Sequence, residues 1–97
     1  MNMLMICYNE AMDLEVMESL EACCLKNYTK ICGAYGRGTS SGTHLGNDIW
    51  PGQNNILYIA CGEEQCANLL AIVKKLRQQL GHEGIKAFSW KIEEETD

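Results

Sequence analysis

The stretch NILYIACGEEQCANLLAIVKKLRQQLGHEGIKAFSWKI, residues 55–92, changes its hydrophobic period twice. From Asn55 to Cys61 it is an almost continuous apolar run of strand length, rich in β-branched and aromatic residues. From Glu63 onward the apolar residues recur at helical spacing. Cys66, Leu69, Leu70, Val73, Leu76 and Leu80 share one side, and Glu63 and Glu64 suit the positive end of a helix dipole. Gly81 is the expected C-cap, and Ile85 to Ile92 returns to a strand.

The first half of the chain repeats this logic in a different order. Met3 to Tyr8 is a second apolar run, and Asn9 is a good N-cap for a helix whose inner side carries Met12, Val16, Leu20, Cys23 and Cys24. Glu15, Glu18 and Glu21 form its solvated side. Tyr28 to Tyr35 is the remaining strand. The order βαββαβ predicts an α+β, ferredoxin-like sandwich, two helices on one face of a four-stranded antiparallel sheet. Residues 1–97 make one domain, with 93–97 a frayed acidic tail. A chain this short buries only about 60 to 65% of its unfolded surface.

Such a sheet, covered on one face, predicts strict apolar and polar alternation. The sequence departs from that. Leu4, Ile6 and Tyr8 alternate with Met3, Met5 and Cys7, and Ile56, Tyr58 and Ala60 alternate with Leu57, Ile59 and Cys61. Both faces of two strands are apolar, which predicts that the second face is covered by further copies in a closed ring.

Eight Lys and Arg stand against thirteen Asp and Glu, a net charge of -5 that repels phosphate backbones, so nucleic acid is excluded as a partner class. No apolar run reaches the roughly 20 residues of a membrane helix, and the apolar start lacks the basic flank and cleavage site of a secretory signal, so a soluble cytoplasmic protein is expected. The six cysteines contain no CxxC pair, and five of them (Cys7, Cys23, Cys24, Cys32 and Cys61) lie in or beside apolar segments, which reads them as small buried hydrophobes.

The segment YGRGTSSGTHLGNDIWPG, residues 35–52, separates the second and third strands. Gly36-Arg37-Gly38 has neither the Walker A pattern nor a dinucleotide fingerprint, but its backbone N–H groups suit an anion nest and Arg37 offers a bidentate fork. His44 and Asp48 are candidate ligands for a divalent cation. Trp50-Pro51-Gly52 is either an anchor that folds onto the body or a contact for a partner. Six glycines between Gly33 and Gly52 make ordering costly in entropy, so a segment mobile when free and ordered when bound is expected. Ser40, Ser41, Cys32 and His44 have no spacing that joins nucleophile to base, so no enzyme is expected.

A ferredoxin-like chain of this length, with apolar sheet faces and a long Gly-rich connection between its second and third strands, resembles the PII-like signal-transduction superfamily, which also contains CutA-type proteins. The resemblance implies a homotrimer with its sheets lining the centre. It implies that 35–52 is a T-loop contacting a transporter or enzyme through Thr39, Ser40, Ser41, Thr43, His44, Asp48 and Trp50. It further implies an adenine nucleotide between subunits, near Gly36, Arg37, Gly38 and Lys86. The alternative is a CutA-like protein that binds a divalent metal through His44 and Asp48 and serves metal tolerance.

Overall fold

A computed structural model of the chain describes residues 1–23, 25–36, 53–81 and 84–96. Its elements are β1 (Asn2–Asn9), α1 (Asp13–Ala22), β2 (Thr29–Tyr35), β3 (Gln53–Cys61), α2 (Glu63–Leu80) and β4 (Ile85–Lys91). The four strands form one antiparallel sheet in the order β2-β3-β1-β4, so the two apolar runs occupy the centre. This is the expected ferredoxin-like arrangement.

The helices cover one face. On that side Leu4, Ile6 and Tyr8 of β1 and Leu57, Ile59 and Cys61 of β3 meet Val16, Met17 and Leu20 of α1 and Cys66, Leu69, Val73 and Leu76 of α2. All are buried, and the spacing on α2 follows the helical period read from the sequence. Gly81 ends α2, donating its N–H to the Arg77 carbonyl at 3.1 Å. The Arg77 guanidinium reaches forward to the Ile85 carbonyl and ties the helix end to the start of β4.

Three details differ from the sequence reading. Asn9 caps a short 3-10 turn, Glu10–Met12, by accepting from the Ala11 N–H at 2.9 Å, and α1 begins only at Asp13. β3 starts two residues earlier than expected because Gln53 and Asn54 pair with Tyr35 and Ala34. β2 carries an irregularity between Ile31 and Ala34, where Gly33 takes φ 71°, a left-handed value that a side chain would strain. That bulge twists an edge strand and leaves Cys32 exposed, unlike Cys61 and Cys66, which are buried in the core. Burial pushes the Cys61 thiol up, as expected of a packing residue.

The other sheet face has no cover within the chain among the described residues. Across it run three rows fixed by the strand register: Ile31, Ile56, Cys7 and Lys86; then Thr29, Tyr58, Met5 and Phe88; then Ala60, Met3 and Trp90. Ile31, Phe88 and Trp90 are each about half exposed, at 46%, 47% and 47%. Among the described residues, no helix is long and apolar enough to cross a membrane.

Candidate functional site

The end of the sheet that carries the 35–52 connection is also where polar side chains enter the core. Tyr8 occupies the last helix-side position of β1, and its ring is only 1% exposed. A buried phenol needs a partner for its hydroxyl. Asp13, in the first turn of α1, supplies one: the Tyr8 hydroxyl donates to Asp13 Oδ1 at 2.6 Å. Register places Asn55 opposite Tyr8, and the buried Asn55 Nδ2 donates to the same oxygen at 3.1 Å. From β2, Lys30 Nζ reaches that oxygen too, at 2.6 Å.

One carboxylate oxygen thus joins β1, β2, β3 and α1. The Lys30 hydrogen bond, followed by that from Tyr8, holds the Asp13 carboxyl below its usual range. Lys30 is raised in return, chiefly by its hydrogen bond to Asp13. Burial first, and then Asp13, push the Tyr8 phenol far up, so it remains a donor. The arrangement has the chemistry of a brace. It fixes edge strand β2 six residues before Gly36 and strand β3 two residues after Gln53, the two stems of the connection.

The sequence reading did not find this group. Its signal was present as Asn55, a polar residue in register with the apolar Leu57, Ile59 and Cys61 that face the helices. Recognising it required the register that sets Tyr8 against Asn55.

Of the expected ligand-binding residues, two are described. Gly36 follows β2 directly, and a side chain there would come within 3.0 Å of Asn54 Nδ2, so the backbone passes close to β3. Lys86 lies on β4, on the uncovered face, with its ammonium 5.3 Å from the centre of the Phe88 ring. β2 and β4 are opposite edges of the sheet, three strand spacings or roughly 14 Å apart. Within one chain Gly36 and Lys86 therefore do not meet. Arg37, Gly38, Thr39, Ser40, Ser41, Thr43, His44, Asp48 and Trp50 lie outside the described residues, as do the expected ordering of 35–52 and the cation site of His44 and Asp48. Among the described residues, no group of three or more metal-ligating side chains occurs.

No protein-family model and no curated protein sequence matches the chain. Solved structures do. A PII-like signaling protein from Thermus thermophilus superposes with a TM-score of 0.64 at 20% identity, covering 92% of this chain and 82% of that one. The apo form of CPII, a nitrogen regulatory PII-like protein from Thiomonas intermedia, gives 0.65 at 16% identity, with coverage of 94% and 89%. CPII bound to ADP, AMP and acetate gives 0.63 at 18% identity, with coverage of 96% and 88%. Near-complete coverage on both sides means that this chain has the fold of the PII-like signaling proteins.

Proposed function

We propose that the protein is a cytoplasmic, PII-like trimeric regulator that takes an adenine nucleotide between subunits and contacts a partner protein, such as a transporter or enzyme, through 35–52. The observation that carries this reading is the separation of Gly36 and Lys86. They stand at the connection end of the sheet but on opposite edges, so only a boundary between copies can bring them to one ligand. In a closed ring the β2 edge of one copy faces the β4 edge of the next. Lys86 then comes to that β2 edge at the row of Ile31, on the way to the sheet end from which Gly36 leads into the connection, and Arg37 and Gly38, next in sequence, remain the candidates to complete a phosphate site.

Two further observations support the reading. The apolar open face, with Met3, Met5, Ile56 and Tyr58 at its centre, is the surface a ring would bury. CPII, which shares the fold, has been solved with ADP and AMP bound.

Light scattering is expected to give a mass about three times the 10.9 kDa of the chain. Calorimetry with ATP, ADP and AMP is expected to show binding, weakened roughly 10- to 150-fold by Arg37→Ala through loss of a charge-assisted contact. Absence of heat with all three nucleotides, together with stoichiometric uptake of a divalent cation abolished by His44→Ala, would replace this reading with the CutA-like one.

A further inference from the structure

A recess on the open sheet face and Trp90, an exposed aromatic side chain on that face, lie at one level, on opposite halves of the sheet. The recess has a volume of about 320 Å³ and is lined by Met3, Asn27, Tyr28, Thr29, Tyr58 and Ala60. It belongs to the β2 side, where the segment leading into β2 rises beside β3. Trp90 stands on β4, the other edge, with 47% of its surface exposed. Met3 is registered against both Ala60 and Trp90, so these three share a row. Two strand spacings, roughly 10 Å, separate Trp90 from Ala60 of its own chain, with Met3 between them. Trp90 therefore does not line the recess of its own chain.

A cyclic ring makes a heterologous contact, in which one edge of each copy meets the other edge of the next. In a ring whose axis runs along the strands, rotation preserves height and brings the row of Trp90 to the row of Ala60. We propose that Trp90 of one copy seats in this recess of a second copy, between Tyr28 and Tyr58, as the anchor of the ring. The inference rests on the trimeric reading above.

The chemistry of the recess fits an indole. Two phenol rings offer edge-to-face or stacked contacts, Met3 and Ala60 give an apolar floor, and Asn27, Thr29 and the tyrosine hydroxyls offer acceptors for the indole N–H. A buried indole covers about 150 to 250 Å² and is the side chain most often found to dominate an interface. Without such a partner, Trp90 and Phe88 leave two large aromatic surfaces in water on one edge strand.

The test uses the full chain carrying Trp50→Phe, so that Trp90 is the single indole. In the assembled state its emission should be blue-shifted and protected from acrylamide, and both properties should be lost on dilution to monomer. Trp90→Ala should raise the midpoint concentration of assembly about thirtyfold or more, with far-UV circular dichroism unchanged. Ala60→Arg, which fills the recess from an exposed position, should do the same. Mixed together, the two defective chains should form a heterodimer, because an intact Trp90 from one then meets an intact recess on the other. If Trp90→Ala does not fold, quenching of the intact indole and the Ala60→Arg chain still decide the matter. A trimer whose Trp90 quenches as an exposed indole, or one that survives both substitutions at full affinity, overturns the inference and leaves the recess open to a small molecule or another protein while the ring stands. A monomeric chain overturns both.

Discussion

β1 carries apolar residues on both of its faces, yet the two faces end in different surroundings. Leu4 and Ile6 are fully buried under the helices, whereas Met3 and Met5, their immediate neighbours in sequence, remain half-buried on the open side. The same contrast holds on β3 between Leu57 and Ile59 and the adjoining Ile56 and Tyr58. Hydropathy along a strand records how many faces must be covered and is silent about what covers them. The helices supply one cover, and among the described residues nothing supplies the second.

The largest expected effect tests whether that difference is real. Leu57→Ala removes a side chain with 0% exposure from the helix-covered face and should cost about 2 to 5 kcal/mol, a large share of the stability of a small domain. Met5→Ala, on the open face, should cost the dissociated chain well under that range and should act instead on assembly. Urea unfolding of both variants, at a concentration where the chain is monomeric, makes the comparison. Equal losses would mean that the two faces are equally packed and that no external cover is needed.

The polar brace gives the next effect. Asp13→Ala leaves the buried Tyr8 hydroxyl and the buried Asn55 amide without their shared acceptor, each worth about 1 to 3 kcal/mol when stranded. Asp13→Asn retains an acceptor oxygen and should recover part of the loss. The pH dependence follows from the depressed carboxyl. Because the folded state holds the proton less tightly than the unfolded chain, the contribution of Asp13 is complete above about pH 4 and is lost as pH falls through its lower folded value. For Lys30 the sense is opposite. Its contribution is complete below about pH 10.4 and is lost as pH rises through its raised folded value. Urea midpoints from pH 7 down to pH 3 should therefore fall less steeply in Asp13→Asn than in the unaltered chain; parallel slopes would remove Asp13 from the account.

Most of the fold was legible because its elements differ in period. Residues 55–61 and 63–80 could not exchange roles, and the order of the six elements left the ferredoxin-like sandwich as the arrangement that buries Leu57 and Leu69 together. The excess of apolar residues at Met3, Met5 and Tyr58 was legible too, as a second apolar face of the sheet. What escaped depended on register. Tyr8, Asp13, Lys30 and Asn55 are spread over 48 positions of the chain and converge only when β1 and β3 pair with Tyr8 against Asn55. The bulge at Gly33 was equally invisible, since a glycine at a strand end reads the same whether it turns or bulges. Gly36 and Lys86 were named, with Arg37 and Gly38, from resemblance and as lying between subunits; that the two stand on opposite edges of one sheet came only from the strand order.

The smallest expected effect sharpens the contrast between the ion pairs of the two sheet ends. Lys91 Nζ lies 2.7 Å from Glu63 Oε1, nearly the same separation as Lys30 from Asp13 at 2.6 Å. Distance does not set their worth. The Lys91 and Glu63 side chains are 74% and 68% exposed, so water and salt screen the attraction and both side chains lose rotamer freedom in forming it. Lys30 is 24% exposed and joins an oxygen that two buried donors already use, so removing it weakens a shared acceptor. Lys91→Ala should therefore leave the Tm within experimental scatter at any salt concentration, while Lys30→Ala should lower it measurably and still do so in about 1 M salt. Equal shifts from the two variants would mean that the brace at the connection end is no more than a second surface ion pair.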